Sequence, residues 1–254
     1  MIGKTCKKGE GVACMPEAKS SAHGTDSMKE AASERALSFV KSGMTLGLGT
    51  GSTVEIFLSK LANALRNRLV VDVWGVATSE RTAKEAVRLG IPLTDLDDRG
   101  VDLCIDGADC IAPDLTLLKG YGGALLREKI VAASAREFIV IADSSKLTES
   151  LGGKEFPIPV EIEPFGFIST MKHIFESCGK PLLRRDDERN APFLTDGKHY
   201  IVDVVTESVI DPEQFEAKLK KIPGVIESGI FREMADLAIV GTFSGVREIR
   251  RTGG

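Results

Sequence analysis

Apolar positions along the chain recur with two alternating periods. "MKEAASERALSFVKSG" places Ala32, Ala36, Phe39 and Val40 on one helical face and predicts a helix that starts at Met28 and closes at Gly43. "MTLGLG" follows as a strand and runs into "TGST", where Ser or Thr can cap a helix; "VEIFLSKLANALRN" continues at helical spacing. The cycle repeats: "LVVDVWGVA" reads as a buried strand, "SERTAKEAVRLG" as its helix, "VDLCID" as a strand, "REKIVAASA" as a helix and "EFIVIAD" as a strand. Strands alternating with helices predict parallel pairing, because crossover helices cover both faces of the sheet.

Past residue 150 the period changes. "LGGKEFPIPVEIEP" supplies the glycines and prolines of a domain boundary. Strand "IPVEI", helix "FGFISTMKHIFESC", strands "KPLLRR" and "HYIVDVV", helix "DPEQFEAKLKKI" and strand "GVIESGIF" form a β-α-β-β-α-β order, the ferredoxin-like arrangement. "ADLAIVGTFSGVREIRR" reads as a strand returning to the first sheet, and the charged "RRDDERNAP" as surface. The predicted fold is therefore α/β: a Rossmann-like open parallel sheet over residues 28–150 and 235–254, and a ferredoxin-like α+β domain over 151–234. Residues 1–27, rich in Lys, Gly, Ser and Ala without hydrophobic period, predict a disordered leader.

Composition narrows the function. At 254 residues, 43% hydrophobic and 28% charged, with a net charge of −4, the chain has the profile of a globular protein with a sizeable core. Neither a membrane span nor a basic nucleic-acid surface is expected. The five cysteines lack C-x-x-C spacing and paired histidines, which argues against zinc, and their odd number fits a reducing, cytoplasmic compartment. The leader lacks the apolar core of a secretory signal. His23, His173 and His199 are scattered, so no serine–histidine hydrolase is expected.

In open parallel sheets ligands bind beyond the carboxyl ends of the strands. The first strand ends in Gly49-Thr50-Gly51-Ser52-Thr53, another in Asp106-Gly107-Ala108-Asp109, and another in Asp143-Ser144-Ser145-Lys146. "GLGTGST" fails the G-x-G-x-x-G fingerprint, since Ser52 stands in the third glycine's place and the second strand ends in Thr78 and Ser79 rather than an acid. What survives is either a helix start suited to a small anion or a plain strand-to-helix turn. "DGAD" fits a metal, sugar hydroxyls or a solvated turn; Lys119 and Lys146 argue against the metal. In "LLKGYGGALLREK", Glu128 stands in a first helical turn, where the helix dipole alone can explain an acid. With Lys119 and glycine N–H groups nearby, it is also a candidate base for removing a proton alpha to a carbonyl. Arg127 and Lys129 fall on other faces of that helix and read as surface or subunit-contact residues.

In that order and spacing, "GLGTGST", "DGAD", "LKGYGGALLREK", "IADSSK" and "FPIPVEI" resemble ribose-5-phosphate isomerase of the A type, over nearly all of residues 28–250. The resemblance implies interconversion of ribose 5-phosphate and ribulose 5-phosphate through an enediolate in the non-oxidative pentose phosphate pathway. It implies no metal or organic cofactor, a small-molecule sugar phosphate partner, and a homodimer or homotetramer. It makes Glu128 the general base, Asp106 and Asp109 residues that hold sugar hydroxyls and assist ring opening, and Lys119 with Gly120 and Gly122 the loop that steadies the negative charge. Lys29, Thr50, Gly51, Ser52, Thr53, Gly107, Ala108 and Lys146 match positions around the bound substrate. Tyr121 occupies a place where relatives commonly have glycine or arginine, so contacts in this loop are expected to differ.

Two other classes share parts of the pattern. A sugar-phosphate-sensing regulator normally adds a DNA-binding helical domain, for which a polar leader of 27 residues is too short. An amino-sugar phosphate isomerase-deaminase or a CoA transferase would keep the glycine-rich first turn without the pairing of "DGAD" and "GGALLREK".

Overall fold

The computed structural model describes residues 22–154, 156–186, 188–206 and 211–251. Through the first half run α1 (Ala22–Leu37), β1 (Thr45–Leu48), α2 (Ser52–Arg66), β2 (Trp74–Ala77), α3 (Glu80–Leu89), β3 (Leu103–Asp106), β4 (Cys110–Ile111), β5 (Leu117–Leu118), α4 (Leu125–Ala133) and β6 (Phe138–Asp143). There follow β7 (Ile158–Ile162), α5 (Phe167–Ser177), β8 (Lys180–Leu183), β9 (Arg185–Asp186), β10 (Ala191–Pro192), β11 (Tyr200–Val205), α6 (Pro212–Leu219), β12 (Val225–Ser228), β13 (Ile230–Phe231), β14 (Leu237–Thr242) and β15 (Gly245–Arg250).

The first sheet has the order β15-β14-β6-β3-β1-β2 and is parallel except for its edge strand β15. Its inner strands β1, β3, β6 and β14 are apolar runs because both faces are covered, whereas the edge strand β15 is charged and exposed. Along β6, Ile139 and Ile141 enter the core beneath α1 and α2 with Leu46, Phe57 and Leu61; Phe138, Val140 and Ala142 enter the opposite core with Val131 of α4 and Phe231. Each such buried side chain contributes about 1.5–3 kcal/mol relative to an exposed one. The second sheet has the order β12-β7-β11-β8 and is antiparallel throughout. With α5 and α6 this is the ferredoxin-like topology, around a core of Ile158, Val160, Ile174, Val202 and Leu219.

A three-stranded antiparallel sheet, β13-β5-β4, joins the two units. The hydrophobic pattern does not announce it, since two-residue strands carry no period. "GVIESGIF" is therefore two strands. It breaks at Gly229, where a Cβ would stand 2.1 Å from the Lys119 carbonyl oxygen, and β13 crosses from the second sheet to pair with β5.

Four other expectations shift. Helix α1 begins at Ala22, so residues 22–27 of the expected leader are helical, while residues 1–21 lie outside the described residues. The strand expected over "LVVDVWGVA" is reduced to Trp74–Ala77, because Arg68 and Asp72 adopt positive φ and Leu69 is exposed. The last segment is a hairpin of two strands, β14 and β15, rather than a single returning strand. Gly51, not Ser52 or Thr53, is the N-cap of α2, which has no side-chain cap.

Candidate active site

The carboxyl ends of β1 and β3 open on a cavity of about 290 Å³, near the lower end of small-molecule sites. A larger cavity of about 620 Å³ lies beside Leu93, Leu96 and Ile130. It has Asp95 and Arg127 on its lining but no convergent buried carboxylates, so the smaller cavity is the candidate site.

β1 and β3 pair in parallel, Leu48 beside Ile105, which brings the two polar strand ends together. Asp106 is fully buried and its Oδ1 accepts from the backbone N–H of Thr50 (3.0 Å) and Gly107 (2.7 Å). Gly49 permits that approach, since a Cβ there would stand 2.0 Å from Asp106 Oδ1. The Thr50 hydroxyl lies within hydrogen-bond reach of Thr78 (2.8 Å), Ser79 (2.8 Å) and Thr82 (3.0 Å). The hydroxyls that end β2 thus scaffold the turn instead of holding a ribose.

β5, clamped between β13 and β4, delivers Lys119 to the cavity. Its ammonium donates to the Gly107 carbonyl at 2.6 Å and forms ion pairs with Asp106 Oδ2 (3.0 Å) and Glu128 Oε1 (3.2 Å). On α4, Leu125, Glu128, Val131 and Ala132 form the buried face, so helical spacing carries the glutamate inward among apolar residues. Glu128 Oε2 is buried and finds no hydrogen-bond partner among the described residues, although Glu128 lines the cavity. A buried, unpartnered carboxylate oxygen costs folding energy and is available to a ligand.

One ammonium faces two carboxylates in this cluster. Burial, then repulsion from Asp106, outweighs Lys119 and pushes the Glu128 carboxyl up to about 8. Burial likewise raises Asp106. Burial alone would lower Lys119, but the two carboxylates outweigh it and keep the amine charged well above its usual range. The arrangement can hold or release a proton near neutral pH beside a fixed positive charge.

The opposite part of the lining is built for an anion. The uncapped start of α2 leaves its first N–H groups without partners in the helix. Lys29 donates to the Ser52 hydroxyl at 3.1 Å, and Lys146 and Ser145 approach from the end of β6.

Among the expected site residues the cavity gathers Lys29, Thr50 to Thr53, Gly107 to Asp109, Lys119, Gly120, Gly122, Glu128 and Lys146. Asp106 lies behind them, its oxygens engaged by Thr50, Gly107 and Lys119. Tyr121 is not on the lining; its hydroxyl donates to the Pro157 carbonyl at 3.1 Å and its backbone N–H to Asp109 Oδ2 at 3.0 Å. Thr25, Asp143 and Ser145 also line the cavity and were not picked out as site residues. Asp143 and Ser145 lie at the polar end of β6, and Thr25 in the segment expected to be a leader. Lys129, expected at the surface or at a subunit contact, is largely buried within the chain against Glu216 and Glu227 of the second unit, because β12 packs along α4.

Residues 74–245 match the family model described as ribose 5-phosphate isomerase A (phosphoriboisomerase A). The chain is 50% identical over 226 residues to ribose-5-phosphate isomerase A of Parvibaculum lavamentivorans, covering 87% of this chain and 96% of that protein. Among solved structures it is similar to ribose 5-phosphate isomerase A of Methanocaldococcus jannaschii, with TM-score 0.84 and 38% identity over 89% of this chain and 99% of that one. It is also similar to a D-ribose-5-phosphate isomerase in complex with phospho-erythronic acid, with TM-score 0.86 and 37% identity over 89% and 99% of the two chains.

Proposed function

Because the chain belongs to the ribose 5-phosphate isomerase A family and so interconverts ribose 5-phosphate and ribulose 5-phosphate in the pentose phosphate pathway, we propose that Glu128 is the base that moves the proton between C2 and C1. The carrying observation is Glu128 Oε2, buried, without a partner and on the cavity lining, while Oε1 is held 3.2 Å from Lys119.

The open-chain aldose lies with its phosphate toward the start of α2, Lys29 and Lys146, and with C1 and C2 beside Glu128. The base takes the C2 proton and the electron pair moves to the carbonyl oxygen, giving a 1,2-enediolate. The Lys119 ammonium and loop N–H groups meet that charge at fixed positions, where they require no reorganisation. Return of the proton to C1, with a proton shifted between the two oxygens, gives the ketose. Asp109, which lines the cavity, holds sugar hydroxyls and assists ring opening in this reading; Asp106 acts through Lys119, whose charge it fixes. The phospho-erythronic acid complex of a relative supports a site for a short polyol acid phosphate.

Separate cores support two units, 28–150 with 235–254 and 151–234, with α1 reaching back to Ala22. Exposed Phe165, Ile168 and Phe175 on and beside α5 support a homodimer or homotetramer, which light scattering of the purified protein would test. Among the described residues no helix is long and apolar enough to cross a membrane; the family and the cysteine pattern support a cytoplasmic enzyme.

The decisive assay follows pentose phosphate interconversion in EDTA by wild type and Glu128→Gln. The expected result is a wild-type rate unaffected by the chelator and a variant whose kcat falls at least about 10³-fold, with sugar phosphate still bound. A fully active Glu128→Gln variant refutes the base assignment.

A further inference from the structure

The loop Lys119–Gly123 carries the ammonium and leads into α4, yet two of its residues, Gly120 (φ +113°) and Gly123 (φ +77°), have backbone conformations that other residues rarely hold. Such a segment keeps one shape only if something outside it fixes its peptide planes. On the cavity side, Tyr121 N–H donates to Asp109 Oδ2 (3.0 Å), and within the loop Gly123 N–H folds back to the Gly120 carbonyl (3.0 Å). The outer side is held by the second unit. Arg184 Nη1 donates to the carbonyls of Gly120 (2.8 Å) and Tyr121 (3.3 Å).

Arg184 is itself immobilised. Its backbone N–H pairs with Ile201, and its guanidinium grips Asp203 through Nε (2.9 Å) and Nη2 in a two-point fork. Phe193 lies between the guanidinium, 5.9 Å from its ring centre, and Gly123, where a Cβ would meet the ring at 2.4 Å. The Tyr121 hydroxyl adds a tie to Pro157.

Peptide planarity turns this grip into an aim. In a trans peptide the C=O and the following N–H point in opposite directions. The Gly120–Tyr121 plane is held at both ends, by Arg184 and by Asp109. In the Tyr121–Gly122 plane only the carbonyl is held. The Gly122 N–H therefore points away from Arg184, has no acceptor among the described residues, and belongs to a residue on the cavity lining. We propose that Arg184, contributed by the second unit, is a positioning residue for the isomerisation: by holding the Gly120 and Tyr121 carbonyls it directs the Gly122 N–H at the oxygen that becomes negative in the enediolate. The proposal rests on the reading of Glu128 and Lys119 given above. It also gives Tyr121 a place in the outer face of the loop rather than in the cavity.

Arg184→Lys keeps the charge beside Asp203 but gives up the fork and the reach to both carbonyls. The expected result is a kcat reduced about tenfold, KM within about twofold of wild type, and a melting temperature within about 2 °C. Arg184→Met should lower kcat further with the same KM pattern, while Arg185→Met, which removes a guanidinium that donates to Asn190 and not to the loop, should leave kcat unchanged. A wild-type kcat in Arg184→Lys overturns the proposal, and so does a loss of kcat matched by equal changes in KM and melting temperature, which is the mark of a purely structural arginine. Neither result bears on the base, because a fully active Glu128→Gln is the separate outcome that removes Glu128.

Discussion

Lys119 and Lys129 each stand between two carboxylates, and the two clusters work in opposite senses. Around Lys119, Asp106 and Glu128 are fully buried, both carboxyls are raised, and one oxygen of Glu128 has no partner. Lys129 sits one residue beyond Glu128 on another face of α4, 3.2 Å from Glu216 and 2.9 Å from Glu227. There the polar groups are matched. The ammonium also donates to the carbonyls of Ser228 (2.8 Å) and Ile230 (2.7 Å), Ser228 donates to both glutamates, and Lys220 adds a second cation 3.6 Å from Glu227. Burial would raise Glu227, but Lys129 outweighs it and holds that carboxyl below its usual range. Charge composition therefore does not mark a reactive site. The mark is a deficit of donors around a buried acid that faces a cavity.

Removing the cation should separate the clusters most sharply. Lys119→Met takes away the charge proposed to meet the enediolate and leaves Asp106 and Glu128 facing each other, so one of them must hold a proton more tightly. The expected kcat loss is about 10²–10³-fold, with the acidic limb of the kcat/KM profile moved upward from the region of about 8 set by Glu128. Steady-state rates between pH 6 and 9.5 check both; a variant with wild-type kcat would place Lys119 outside the chemistry.

Lys129→Met should do the reverse. It strands Glu216 and Glu227 at the junction of the two units, and because that site is partly reached by solvent the expected cost is about 2 kcal/mol rather than the full penalty of a broken interior pair. The melting temperature should fall by about 5 °C while kcat stays within about fivefold. A loss of kcat without a loss of stability would make Lys129 part of the reactive site and erase the contrast.

How much of this was legible in the chain depended on sequence distance. The apolar runs of β1, β3, β6 and β7 announced themselves because strands buried on both faces need no alternation. Glu128 was visible because its loop, helix start and lysine lie within one short stretch. Lys129 and Arg184 were not. Their partners lie 87 to 101 and 64 residues away, and a lysine on a helix or an arginine in a charged hairpin looks the same as a solvated one until the second unit is docked. The two-residue strands and the start of α1 were missed because neither offers enough apolar positions to define a period.

The smallest effect is also the finest test of the comparison, because it depends only on the direction in which each acid is shifted. Glu128 is raised from the ordinary 4.5 to about 8, so the folded state binds its proton more tightly than the unfolded chain does. That contribution to stability is complete below pH 4.5 and is lost as the pH climbs to about 8. Glu128→Gln keeps the neutral form at every pH, so it should match wild type near pH 4.5 and become progressively more stable than wild type up to about pH 8, read as a melting-temperature gap that widens with pH. Glu227 is shifted downward, so its contribution is present above 4.5 and disappears as the pH falls through its lowered value. Glu227→Gln should therefore be less stable than wild type from pH 6 to 8.5, with the gap closing in acid. Melting curves of the two variants between pH 4.5 and 8.5 should diverge with opposite signs as the pH rises. If both variants are destabilised alike at pH 8, the acid beside Lys119 carries no excess proton affinity, and the distinction between a reactive and a structural lysine cluster fails.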